Sequence, residues 1–227
     1  MSSYISPGQL SWCSESHFVL LNTSNMQKDI LDAFFKQTEI VIYDTEFTTW
    51  EGAMERGWSG ENEHRELVQI AAQRINLQTQ VVVGSFEVLV QPVVNPQLSE
   101  YFIDLTHVTQ AQVDEQGVSF GSAYAQFMEW SGGLKKLSFS QTLDSASDMG
   151  VLRENISLYG LSAVLPEPEF GVVTGVFQAV GIDTRQYNSG RLYQAFNLQL
   201  TGHQHNAMHD VDSIVASLWE LKKQWLK

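Results

Sequence analysis

The chain has 227 residues, with 13 Lys and Arg against 26 Asp and Glu, a formal charge of −13, and 43% hydrophobic and 11% aromatic residues. That length suits one domain with a sizeable core, and that charge argues against broad binding to duplex DNA, which depends on many phosphate contacts. No apolar run approaches the roughly 20 residues of a membrane span, Met1–Leu20 lacks the basic start and apolar core of a signal peptide, and the lone Cys13 forbids an internal disulfide, so a reducing, cytoplasmic setting is expected.

Taken in order, Ser2, Ser3, Ser6, Pro7, Gly8 and Ser11 give an irregular start. A helix is predicted over Asn25–Gln37, with Asn25 as N-cap and Ile30, Leu31, Phe34 and Phe35 as its apolar stripe. Residues 1–38 read as an N-terminal extension with one helix, packed on a domain over 39–227. Glu39–Thr48, EIVIYDTEFT, is the first predicted strand, and both of its faces are largely apolar, as in a central buried strand. It ends in Asp44 and Glu46, which project to one face because they are two apart. Carboxylates crowded in this way repel and raise each other's pKa unless a cation lies between them. A strand running into an acidic turn is the plainer alternative, and this stretch alone leaves both open.

Trp50–His64 is a Gly- and Glu-rich loop of a length that usually has a function. Its Trp50, Met54, Arg56 and Trp58 either line a substrate path or fold the loop onto the body. Leu67–Leu77 and Val81–Gln91 are the next strands, a hairpin joined by Gln78–Gln80 and ended by Pro92 and Pro96. Val118–Trp130 reads as a helix capped by Ser119, with Phe120, Ala123, Tyr124, Phe127 and Met128 at core spacing. A fourth strand is predicted over Leu134–Gln141, and a helix within Asp144–Tyr159. Leu161–Gly171 is a connector, and Thr174–Val180 and Arg191–Leu198 are short helices with Thr174 and Ser189 as caps and Gly181 as a stop. The last helix runs over Ala207–Lys223, capped by Asn206, with Val211, Ile214, Val215, Leu218 and Leu221 buried. Three strands, a helix, a strand and further helices make an α/β sheet with an antiparallel part and helices on its faces.

Two further acids join the first pair. Asp148 lies near the start of one helix, Asp210 near the start of the last, and His205 five positions before it. A strand end and two helix starts can converge at one rim of a sheet. Four carboxylates and a histidine are the inventory for two-metal phosphoryl hydrolysis, with Mg²⁺ or Mn²⁺ suited to oxygen ligands and a histidine suited to drawing a proton from water near neutral pH.

At this point the chain resembles the DEDDh 3′–5′ exonucleases, the ribonuclease-H-like group that includes polymerase proofreading exonucleases, ribonuclease T and oligoribonuclease. Asp44-Thr-Glu46-Phe47-Thr48, with Glu66-Leu-Val-Gln-Ile-Ala behind it, resembles the first motif. Asp148-Met-Gly-Val-Leu152 resembles the second, and His205-Asn-Ala-Met-His-Asp210 the third. Phe102-Ile-Asp-Leu-Thr-His-Val-Thr-Gln110 is similar to the segment that precedes the family's helix. The second motif departs from the family, which has Asn or Gly shortly before the Asp. Here Asp144 is a rival to Asp148, although it lacks a Leu four residues on. The loop after Trp50 is longer than in proofreading enzymes and looks more like the branch of RNA 3′-end trimmers.

The resemblance implies a ribonuclease-H-like mixed sheet of about five strands, the first three antiparallel, flanked by helices. It implies that Asp44, Glu46, Asp148 and Asp210 hold two divalent ions, Mg²⁺ or Mn²⁺, that His205 activates water, and that Phe47 and Thr48 meet the terminal nucleotide; Trp50 of the following loop is a further substrate-binding candidate. Single-stranded RNA 3′ ends are favoured over DNA, short oligonucleotides are included, no membrane is involved, and a homodimer is allowed. A catalytically weak binding or interaction module and a polymerase-bound proofreading subunit are the alternatives. His205 and His209 have the spacing of a helical zinc pair, but Asn206 stands where a zinc protease has Glu. Surface or capping roles are expected for His203 and His209, and solvated surface for Lys135, Lys136, Arg153 and Arg191.

Overall fold

A computed structural model describes residues 15–144 and 147–226. Helix α1 (Glu15–Phe35) leads into strands β1 (Glu39–Phe47), β2 (Leu67–Asn76) and β3 (Val81–Leu89). Helices α2 (Glu100–Thr106), α3 (Gln110–Gln116) and α4 (Phe120–Ser131) follow, then β4 (Lys136–Ser138) and α5 (Asp148–Leu158). Strand β5 (Phe170–Val172), helix α6 (Thr174–Gln178), a 3₁₀ run over Ser189–Phe196 and helix α7 (Ala207–Trp225) complete the order. The five strands form one sheet, β3-β2-β1-β4-β5, antiparallel from β3 to β1 and parallel from β1 to β5. This is the mixed sheet the sequence led us to expect.

Strand β1 is central because both its faces are apolar. Ile40 and Ile42 pack against α1, α6 and α7 through Leu31, Phe34, Phe177, Val211, Ile214 and Leu218. Val41 and Tyr43 face α4 and α5 through Phe127, Ala123, Met149 and Leu152. Each such side chain, taken fully from water, contributes roughly 1.5–3 kcal/mol before entropy is counted. A smaller core of Val68, Leu98, Phe102, Val108 and Val113 fixes α2 and α3. The chain leaves β1 toward β2 and β3 on one side and returns to β4 on the other. Such a reversal opens a crevice at the carboxyl ends of the strands, where ligands gather in open α/β sheets.

Glu66 clamps this end of the sheet. It is fully buried, yet its carboxylate accepts from the amides of Val93 at 2.7 Å, Val94 at 2.8 Å and Asn95 at 2.6 Å, and from the Tyr159 hydroxyl at 2.6 Å. Burial pushes its pKa up, but Tyr159 and the three amides outweigh it and hold the carboxyl below its usual range.

Several local expectations change. The N-terminal helix spans Glu15–Phe35, so Asn25 lies inside it rather than at its cap, and Ile30 is exposed while Leu31, Phe34 and Phe35 are buried. The serine-rich start lies outside the described residues. Helices α2 and α3 are too short for a clear periodic stripe, and β5 is a three-residue strand hidden in the predicted connector. Thr174 does not cap α6; its hydroxyl donates to the Ser140 carbonyl at 2.8 Å. Lys136 is not solvated: it is fully buried, paired with Glu169 at 2.8 Å and donating to the carbonyls of Gly132 and Leu134.

Candidate active site

The site assembles where β1 ends. Asp44 and Glu46 lie on the α7 face of the strand, both buried, and a bulge falls between Glu46 and Phe47. Bulges re-aim side chains and interrupt pairing near functional sites. Thr45 between them points to the opposite face, toward α5. Its hydroxyl and amide donate to Asp148 Oδ1 at 2.7 and 3.1 Å. Asp148 opens α5, where the first-turn amides favour negative charge. Ser147 caps that helix by accepting from the Gly150 amide at 3.1 Å. The Ser140 hydroxyl donates to the second Asp148 oxygen at 3.4 Å. Asp144 is exposed, and its carbonyl accepts from Ser147. The charge of Asp148 bears on both Asp44 and Glu46.

The third face of the site comes from α7. Asp210, in its first turn, is 2% exposed. It accepts from the Ser189 hydroxyl at 2.8 Å and from the His205 amide at 3.2 Å. Gly190 lies against it so closely that an added Cβ would come within 2.2 Å of Oδ1. Asn206 precedes the helix but makes no side-chain cap. Instead, Gln69 of β2 accepts from the Ala207 amide at 3.1 Å and donates to Glu87 at 2.7 Å, which ties the helix start to the sheet. His205 adopts φ 65°, a left-handed conformation, and its ring joins Glu46 and Asp210. One potential ligand atom from each of these three lies within 4.8 Å of the others.

Electrostatics follow from this crowding. Burial first, and then Asp148, Asp210 and Glu46, lift the Asp44 pKa well above the usual range. Burial, Asp210 and Asp148 do the same to Glu46. Asp210 is pushed up to about 6 by burial, against the Ser189 and His205 hydrogen bonds. Asp148 is raised by burial and relieved by Thr45. The His205 pKa is lowered by burial and by His203. None of the ion pairs among the described residues engages the four acids. Four uncompensated carboxylates and an imidazole fit divalent cations, which would relieve their repulsion with oxygen ligation.

Beside the acids, Phe47 meets Trp58 edge-on, with ring centroids 5.6 Å apart. The Arg65 guanidinium lies 5.7 Å from the Phe47 ring centre and 5.5 Å from that of Trp58 and is held by Glu154, with Nε at 3.0 Å. Trp58, Arg65, His64 and Glu154 line a cavity of about 400 Å³. Thr48 is buried, and its hydroxyl closes the loop by donating to the His64 carbonyl at 2.6 Å and accepting from the Glu66 amide at 3.0 Å. Trp50 is half-buried at the start of that loop, and Met54 is exposed. His209, expected in a surface or capping role, is buried against Gly202 and Tyr193 because it follows the inward face of α7. Ser189, predicted as a helix cap, spends its hydroxyl on Asp210. Thr45, Gly190 and Gln69 escaped sequence reasoning. Only Thr45 had a signal, the alternation that sends it away from its acidic neighbours.

A sequence model of the RNase_T exonuclease family matches residues 41–218. A human ERI1 exoribonuclease 2 is 34% identical over 92 residues, 40% of this chain and 12% of that protein. The 3′-5′ exonuclease Snipper of Drosophila melanogaster is 26% identical over 117 residues, 52% of this chain and 40% of that protein. The chain therefore spans less than half the length of either relative. The nuclease domain of 3′hExo, a DEDDh family member crystallised with rAMP, superposes with a TM-score of 0.66 at 20% identity, covering 82% of this chain and 92% of that one. At that identity the likeness is one of fold.

Proposed function

We propose, because the chain belongs to the RNase_T exonuclease family, that it hydrolyses the terminal phosphodiester at the 3′ end of single-stranded nucleic acid. Nucleoside monophosphates are released, and RNA is favoured over DNA. The observation that carries this is the meeting of Asp44, Glu46, Asp148, Asp210 and His205 at the end of β1 without a paired cation. Asp44, Glu46, Asp148 and Asp210 would hold two divalent ions, for which Mg²⁺ or Mn²⁺ suits the oxygen donors. When bound, the metal supplies positive charge to phosphate and leaving-group oxygens.

The residues of the chain do the rest. His205, neutral at physiological pH because its pKa is lowered, accepts the proton of the attacking water. Asp210 orients His205 through the backbone amide it accepts from. Phe47 stacks on the terminal base, as aromatic side chains do in single-strand binders, and Trp50 and the backbone at Thr48 flank it. The preference for RNA draws on the exoribonuclease names of the relatives and the rAMP bound to the structural neighbour. A homodimer would use the open edge of β3, where Val81, Val82 and Val83 are exposed, and light scattering would report it.

The decisive experiment uses 5′-labelled single-stranded RNA and DNA of one sequence, with Mg²⁺, Mn²⁺ or EDTA, beside the Asp44→Ala protein. A ladder shortening from the 3′ end, absent in EDTA and in the variant, is the expected result. Metal binding without cleavage of either strand would overturn it in favour of a binding module.

A further inference from the structure

Two histidines outside the acid set meet beside it. His107 ends α2 at φ 60°, a left-handed conformation uncommon in residues other than glycine. Such strain persists where the surroundings impose it, often at functional sites. The surroundings here are rigid. The His107 amide donates to the Ile103 carbonyl at 2.9 Å, and Phe102, Val108 and Val113 on either side belong to one packed core. The His107 ring lies flat on that of His203, with centroids 3.4 Å apart and planes at 27°.

His203 belongs to residues 197–206, which form neither helix nor strand, and it stands two positions before His205. Near His205 this segment is tied by its own backbone, from the His205 amide to Asp210 at 3.2 Å and from the Asn206 amide to the His203 carbonyl at 3.3 Å. Gly202 of this segment packs against His209, the Gln204 Nε2 lies 2.9 Å from His205 Nε2, and toward α2 the segment is met by the His107–His203 stack. Both stacked rings are exposed, so their contact adds little to the core. Its consequence is geometric: a rigid corner is joined to the segment that carries His205.

We propose that His107 is a positioning residue, which through its stack on His203 holds the 197–206 segment so that the His205 imidazole faces Glu46 and Asp210. The turnover consequence rests on the exonuclease reading; the structural one does not. The test compares His107→Ala with His107→Phe. Both keep a Cβ at the same φ, so backbone strain is equal, but only Phe keeps a ring face for His203. His107→Ala is expected to lower kcat about 10-fold, the scale of a misplaced catalytic group held by one aromatic contact. KM and the unfolding temperature should stay near wild type, and the His205 ring proton resonances should shift. His107→Phe should restore kcat and the resonances. His203→Ala should match His107→Ala, and the double variant should be no worse than either.

Unchanged His205 resonances and kcat in His107→Ala would overturn the proposal. So would a His107→Phe protein as impaired as His107→Ala with a raised KM, since the imidazole would then touch substrate. If the wild-type protein cleaves no nucleic acid while His107→Ala still shifts the His205 resonances, the exonuclease reading fails and the positioning role stands.

Discussion

Removing the charge of Asp210 should stabilise the metal-free protein at neutral pH. Asp210 is 2% exposed, and its folded pKa is about 6 against an ordinary 3.8. The folded carboxyl thus holds its proton more tightly than the unfolded one. That contribution to stability is complete below about pH 4 and is lost as the pH rises through about 6. A difference of about two units corresponds to about 3 kcal/mol, or roughly 6–12 °C in a domain of this size. Asp44 and Glu46 shift in the same direction. Asp210→Asn keeps the shape: its one carbonyl oxygen still accepts from the His205 amide, and its NH2 donates to the Ser189 hydroxyl, which now accepts. Thermal unfolding in EDTA from pH 4.5 to 7.5, followed by circular dichroism, should show the variant gaining on wild type as the pH rises. Mg²⁺ at pH 7 should recover the lost stability in wild type and much less in the variant. A variant that is less stable than wild type at pH 7 in EDTA, with the same Mg²⁺ response, would refute the idea that these acids are crowded and uncompensated.

Three further outcomes follow from the geometry. Because burial and His203 lower the His205 pKa, the acid limb of the kcat profile should fall below pH 6.5, and His205→Ala should flatten it; a limb above 7 would assign it to another group. Gly190→Ala would drive a Cβ to 2.2 Å from Asp210 Oδ1 and should cost about 100-fold or more in kcat/KM by displacing the Asp210 carboxylate; near-normal kinetics would mean Asp210 is not held there. Glu66→Gln should destabilise by about 3 kcal/mol, since the buried carboxylate accepts several charge-assisted hydrogen bonds. Its lowered pKa means that this contribution is present above about pH 4.5 and fades as the pH falls; urea titrations at pH 7 and 3.5 would measure both.

The sequence by itself determined the strands and long helices that carry the chemistry. The apolar, β-branched run of Glu39–Phe47 and the helical stripe after Asn206 are local patterns, and both acids of β1 share a face because a strand has a period of two. The spacing and order of the acidic motifs likewise point to the family. What local pattern could not decide was how the hydroxyls and glycines near the acids are spent. Ser189 has the chemistry of a helix cap, yet α7 places Asp210 within reach, and a hydrogen bond to a buried carboxylate outweighs a cap exposed to water. Asp144 and Asp148 are four apart on one stretch. Only the packing of α5 against β1 brings Thr45 to Asp148, while Asp144 stays exposed. His107 and His203 are nearly a hundred residues apart, and their contact exists because α2 and the segment before α7 end at the same rim. Periodicity fixes the face on which a side chain lies; which side chains from distant segments share that face is set by sheet order and helix packing, whose energies depend on the whole chain.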